Sequence, residues 1–264
     1  MTGRVFDFDR AIVREPGESV VDGLRTGPEA PRYDRIAAEH RAYVAALEAA
    51  GVAVETLPAL ADHPDSVFVE DPAFVLTEGA ILLRPGAPSR FAEPATLAPA
   101  LHRHFSNVAA VEDGFVDGGD ILVLTDEILV GLSARTNGEG AGRFCQLARD
   151  LGRRARIVEP PSGLLHLKTG CALVGEGAVI AVPAIAPLFS GYEVLLTFEG
   201  EEHAANLVRV NDRILMGDAF PRTAALLRER GLDVMETPSS EIAKIDAGLS
   251  CMSLRWHSAR IGTP

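Results

Sequence analysis

Four side chains in this sequence form a set able to break a carbon–nitrogen bond in a planar cation: Cys251, His166, Asp71 and Asp117. A guanidinium is such a cation, and it is a poor electrophile. Cleaving it needs carboxylates that hold and orient its plane by paired hydrogen bonds. It needs a strong nucleophile, best a thiolate. It also needs a proton donor for the departing amine that can afterwards activate water. Cys251 on its own would more often be a packing residue, and His166 on its own a hydrogen-bonded structural histidine. The Gly248-Leu249-Ser250 turn before the cysteine favours the catalytic reading. Cys145 lies on an apolar helical stripe and Cys171 opens a strand, so both are expected to be structural.

The polar segments that carry these residues recur along the chain. Val69-Glu70-Asp71, Asp117-Gly118-Gly119-Asp120, His166-Leu167-Lys168-Thr169-Gly170, Ala204-Ala205-Asn206 and Leu249-Ser250-Cys251 each precede a short β-type run. After Asp71 come runs at Ala73–Leu76 and Ala80–Arg84, a helical stretch near Phe91–Phe105, and the run Val108–Val111. After Asp120 come Ile121–Leu124, Ile128–Gly131, a helix near Ala141–Leu151 and Ala155–Val158. The third copy holds Ala172–Gly175, Ala178–Ala181, a weak helix and Glu193–Leu196. The fourth holds Leu207–Val210, Arg213–Met216, a helix Pro221–Arg230 and Val234–Thr237, with Pro221 and Gly231 suited to its two ends. A fifth copy draws on both ends of the chain: Met252–Trp256, Ala11–Arg14, a helix near Pro31–Ala50 stopped at Gly51, and Val52–Leu57. Strand-strand-helix-strand units repeating at such intervals point to units around an axis, with terminal pairing removing the open edge. The competing architecture is an ordinary α/β or α+β domain. In the ring, the five polar segments converge at one mouth.

Bulk composition agrees with a globular chain. Hydrophobic residues make up 47%, enough for a sizeable core, and no apolar run is long enough to span a bilayer. Met1–Arg10 has no apolar signal core, so a cytoplasmic location is expected. A net charge of −12 argues against nucleic-acid binding and suits a cationic small molecule. Three cysteines without a CxxC pair, and histidines without HExxH, imply neither a disulfide scaffold nor a metal site. No metal and no cofactor is expected. Neither nucleic acid nor membrane is an expected partner, and the chain is a monomer or a homodimer.

Seven ordered segments resemble the dimethylarginine dimethylaminohydrolases of the guanidino-group-modifying superfamily. They are Phe68-Val69-Glu70-Asp71, Arg84 to Arg90, Asp117-Gly118-Gly119-Asp120, Gly131 to Asn137, Leu165-His166-Leu167-Lys168, Ala204-Ala205-Asn206 and Lys244 to Cys251. The resemblance implies an α/β fold: a fivefold pseudo-symmetric α/β propeller closed by both termini, as one domain over 1–264. It implies hydrolysis of N-omega-methylated arginine to citrulline and a methylamine. Cys251 would attack the guanidinium carbon to give a thiouronium intermediate, and His166 would serve as acid and then base. Asp71 and Asp117 would grip the guanidinium with Glu70 alongside. Arg90 and Arg135 match carboxylate clamps. Asp65 and the backbone carbonyls of Leu24 and Ile245 match positions holding the α-amino group, and Asp246 is counted with them. Phe68 offers an apolar wall to N-methyl groups. Leu24 lies in Glu15–Pro31, whose glycines and prolines read as a mobile lid. The alternatives are an arginine deiminase or amidinotransferase of the same superfamily, and a non-catalytic arginine-binding protein. Asp120 is expected to be structural, Glu201 and Glu202 to lie on a solvated edge, and Arg84 to form a strand-end ion pair.

Overall fold

The structure, a computed structural model, describes residues 3–258, so the outermost ends of the expected 1–264 domain lie outside the described residues. Five three-stranded sheets follow one plan. The first contains β3 (Ala73–Leu76), β4 (Gly79–Leu82) and β5 (Val108–Ala110). β3 runs antiparallel to β4, and β4 parallel to β5. A parallel pair needs a crossover, supplied here by helix α2 (Glu93–His104). The second unit repeats this with β6 (Ile121–Val123), β7 (Ile128–Gly131), α3 (Gly138–Asp150) and β8 (Ala155–Val158). The fourth uses β12 (Val208–Val210), β13 (Arg213–Gly217), α4 (Pro221–Glu229) and β14 (Asp233–Thr237).

The third unit keeps β9 (Cys171–Gly175), β10 (Ala178–Ala181) and β11 (Glu193–Leu196), but its expected weak helix is a 3-10 segment, Pro183–Leu188. Pro187, inside the segment, lacks the amide donor a continuous α-helix requires. The fifth unit joins both ends of the chain. β15 (Leu254–Trp256) pairs antiparallel with β1 (Arg10–Arg14), which runs parallel to β2 (Ala53–Leu57) across α1 (Tyr33–Ala49).

The first strands β3, β6, β9, β12 and β15 all line one axial cavity of about 140 Å³. The helices cover the outer flanks with their apolar stripes. On α3, Phe144, Leu147, Ala148 and Leu151 pack with Ile121, Ile128 and Val130. Phe144 is fully buried and meets Phe74 edge-on at 5.1 Å; burying such a ring contributes about 2–3 kcal/mol. Asn137 caps this helix by accepting from Gly140 N–H at 2.9 Å. Cys145 is buried on the same stripe, and Cys171 on β9, as the structural reading expects. Among the described residues no helix is long and apolar enough to cross a membrane.

Candidate active site

The loops entering the inner strands meet at one end of the axis around a small cavity of about 40 Å³. It is lined by Leu24, Asp65, Phe68, Asp71, Arg90, Asp117, Arg135, Leu165, His166, Ile245, Asp246, Ala247 and Cys251. Every site residue expected from the sequence is in that set except Glu70. Leu165 and Ala247 belong to segments singled out in the sequence but had no assigned role. Their signal was adjacency to His166 and Asp246.

Two glycines bring the acidic and basic groups together. A Cβ at Gly118 would lie 1.9 Å from the Glu70 carbonyl, and one at Gly119 would lie 2.5 Å from His166 Nδ1. Only bare backbone lets the imidazole and the Asp71 segment close on this turn. Gly119 N–H then donates to Asp71 Oδ1 at 2.9 Å. Asp117 is fully buried. Its Oδ1 accepts from Gly86 N–H at 2.7 Å and its Oδ2 lies 3.0 Å from His166 Nε2.

These contacts set the charge states. Burial opposes an imidazolium at His166, but the hydrogen bond to Asp117 and the charges of Asp71 and Asp120 outweigh it, raising its pKa from 6.5 to about 9. Burial also opposes the Asp71 carboxylate, yet Arg90, His166 and Gly119 N–H hold it below the usual carboxylate range. Cys251 goes the other way. Burial, then the charges of Asp71 and Glu70, push its thiol up to about 11, against a backbone contact at Gly248 and the charge of Lys168. The resting site therefore pairs a neutral thiol with an imidazolium.

Asp71, Asp117 and His166 each bring a donor atom within 4.8 Å of the others, a spacing a metal ion can use. A metal requires the neutral imidazole, whereas this one is held protonated by its own carboxylate partner. The donor set fits an organic cation lying across the two carboxylates better than a divalent ion.

The two arginines expected as carboxylate clamps differ. Arg90 is buried, and its donors are committed to Asp71 Oδ2 at 2.5 Å, to Glu93, and to the carbonyls of Asp65 and Phe68. It holds the acidic wall in place. Arg135 lines the cavity and makes no ion pair among the described residues, so its guanidinium is the available one. Glu70 points away from the cavity. It lies in the turn that leads into β3, and its carboxylate meets Lys168 Nζ at 2.6 Å and Arg255 at 3.2 Å on the side of the axial cavity.

The expected lid segment lies over the mouth. Leu24 N–H donates to Asp65 Oδ1 at 2.9 Å. Thr26 donates from N–H and hydroxyl to the two oxygens of Asp246, at 2.6 and 2.9 Å. Asp246 sits in the left-handed region at φ 55°. The Thr26 contact carried no sequence signal, because its partner is 220 residues distant.

Asp120 is structural, as expected: its oxygens accept from Ser133, Thr136 and Leu167 N–H. Two expectations are corrected. Glu201 is buried and caps α4 by accepting from Arg222 and Thr223, since the first helical amides need an acceptor. Among the described residues Arg84 makes no carboxylate pair; it lies over the rings of Phe115 and Phe91, which stack on each other at 5.6 Å.

Comparison with known proteins places this geometry. A family model described as N,N dimethylarginine dimethylhydrolase, eukaryotic, matches residues 29–186. The N(G),N(G)-dimethylarginine dimethylaminohydrolase of Pseudomonas aeruginosa is 37% identical over 94% of this chain and 100% of its own. A solved structure of the Pseudomonas aeruginosa enzyme, a cysteine-to-serine mutant complexed with citrulline, superposes with a TM-score of 0.92 at 37% identity, covering 95% of this chain and 100% of that one. A dimethylarginine dimethylaminohydrolase with a histidine replaced by glycine, solved as an adduct with S-methyl-L-thiocitrulline, has a TM-score of 0.91 at 37% identity, covering 94% and 99%.

Proposed function

The chain belongs to the dimethylarginine dimethylaminohydrolase family, and on that premise we propose that it hydrolyses N-omega-methylated arginines to citrulline and a methylamine. What carries the reading is the gathering of Cys251, His166, Asp71 and Asp117 around one cavity with Arg135 at its side. The ring works as one domain, because its site draws on segments from both ends of the chain.

The charge states give the order of events. The guanidinium docks against Asp71 and Asp117, each of which keeps lone pairs free for it. Its positive charge beside Cys251 favours the thiolate, and the thiol proton leaves to solvent. The sulfur bonds to the guanidinium carbon. The C–N bond to the methylated nitrogen breaks, and that nitrogen takes the proton of His166. An S-alkylthiouronium on Cys251 results. His166, now neutral, takes a proton from water; the hydroxide oxygen bonds to the same carbon, and the sulfur departs. Arg135 holds the α-carboxylate, and Asp65 with the Leu24 and Ile245 carbonyls holds the α-ammonium. Phe68, Leu165 and Ala247 offer apolar surface to N-methyl groups.

The test is turnover of dimethylarginine, monomethylarginine, arginine and agmatine, followed as citrulline-type product, with Cys251→Ser alongside. The reading expects product from the methylated arginines and none from the variant, which still binds. Preferential turnover of arginine would make the chain a deiminase. Binding of methylarginines without product would make it a binding protein. Full activity of Cys251→Ser would remove the sulfur from the mechanism.

A further inference from the structure

The turn carrying Cys251 has the backbone groups around the sulfur tied down one by one. Cys251 N–H donates to the Gly248 carbonyl at 3.3 Å, and the Cys251 carbonyl accepts from Glu70 N–H at 3.2 Å. The Ser250 carbonyl accepts from the Arg255 guanidinium at 3.2 Å. The remaining group, Ser250 N–H, donates to Asn206 Oδ1 at 3.4 Å. Asn206 comes from another unit, at the end of the 3-10 turn Glu202–Ala205 that leads into β12. It reaches the turn across the joint between the fourth and fifth sheets.

Gly248 makes that reach possible. A Cβ at Gly248 would lie 2.3 Å from Asn206 Cγ and 2.4 Å from its Oδ1. The backbone there has φ −132°, open to any residue, so the requirement for glycine is the close approach of the amide. Asn206 and Gly248 also line a second small cavity, which shares Asp246 and Ala247 with the catalytic one but includes neither Arg90 nor Asp117.

We propose that Asn206 is a positioning residue for the nucleophile: its side chain fills the gap left by Gly248 and clamps the Ser250 peptide against Arg255, aiming the Cys251 sulfur at the cavity. The inference rests on Cys251 being the nucleophile. It gives a role to the Ala204-Ala205-Asn206 segment, which the binding and proton-transfer steps leave unused. It also gives one to Glu70, whose carboxylate holds Arg255 at 3.2 Å from the opposite side.

The experiment compares wild type, Asn206→Ala, Gly248→Ala and the double variant by steady-state kinetics on dimethylarginine, with melting temperature and the fraction of Cys251 alkylated by iodoacetamide as checks on folding. Displacing a reacting atom by about 1 Å lowers rates about 100-fold, so kcat of Asn206→Ala is expected to fall about 10- to 100-fold with KM nearly unchanged. Gly248→Ala pushes on the same amide and falls likewise. The double variant, where the lost amide makes room for the methyl group, is expected to be no worse than the poorer single one. Unchanged kcat in a folded Asn206→Ala protein would overturn the inference, as would fully additive losses in the double variant. A wild-type protein that turns over dimethylarginine while Cys251→Ser does so equally well would instead overturn the nucleophile assignment.

Discussion

Replacing Asp117 by asparagine removes one charge from the site and keeps its shape, so it isolates what sets the protonation of His166. The Asp117 Oδ2 to His166 Nε2 distance is 3.0 Å, with Asp117 buried and His166 partly so. At an effective dielectric constant of about 20 that pair is worth about 5 kcal/mol before desolvation. Burial opposes the imidazolium, and the three surrounding carboxylates leave its pKa at about 9 against 6.5. At about pH 7.5 the ring is then about 97% protonated, compared with about 9% for an unperturbed histidine. With Asp117→Asn the burial penalty stays and the first of the opposing contributions goes, while Asp71 and Asp120 still favour the imidazolium, so the pKa is expected to fall below about 9. The same change appears in stability. A folded-state pKa raised above its unfolded value stabilises fully below the unfolded pKa and loses that stabilisation as pH rises through the folded one. Wild type should therefore lose about 2 kcal/mol of the stability linked to His166 between about pH 6.5 and about pH 8.5, and Asp117→Asn should lose less over the same range. NMR titration of the His166 ring and urea unfolding across that range give the two readings. A His166 pKa that stays near 9 in the variant, or parallel stability curves, would show that Asp117 does not hold the proton.

Arg135→Ala is expected to raise KM with kcat little changed, because its unpaired guanidinium would bind ground and transition states alike; an unaltered KM would show that it does not hold substrate. Arg90→Met leaves Asp71 and Glu93 buried without their cation, so a loss of about 3–5 kcal/mol in unfolding free energy is expected; a loss below about 1 kcal/mol would mean that the acidic wall does not depend on Arg90. Alkylation of Cys251 in the free protein is expected to rise steadily from neutral pH towards about 11, and a bound guanidinium compound too small to cover the sulfur should move the curve to lower pH. A plateau already reached at neutral pH would show a resting thiolate.

Much of this architecture was legible in the chain because its signals are local. Paired short runs such as Ala73–Leu76 and Ile128–Gly131 have strand composition, and both coincide with the strands. Pro221 and Gly231 mark the ends of α4 by their own backbone chemistry. The segments preceding the inner strands named Asp71, Asp117, His166 and Cys251, because a repeat places the same loop at the same end of the axis five times; the other expected lining residues came from the family resemblance. Side-chain direction is not local. Glu70 and Asp71 are neighbours in sequence, yet one faces the axial cavity and the other the catalytic one, and only the packed ring shows which. Arg84 and Glu201 were misjudged for the same reason: their partners, the Phe91 and Phe115 rings and the first amides of α4, arrive from other segments.

The residue types and their order pointed to a thiol, an imidazole and acidic groups carried by the five units of one ring, since each type sits in a segment at the same place in its repeat. Tertiary structure decided the charge each group carries at rest and the partner each arginine takes. Those properties depend on burial and on distances of a few ångströms between groups far apart in the chain. An imidazolium with a neutral thiol in the same cavity arises only when Asp117 closes on His166 and packing around Cys251 keeps water from the sulfur.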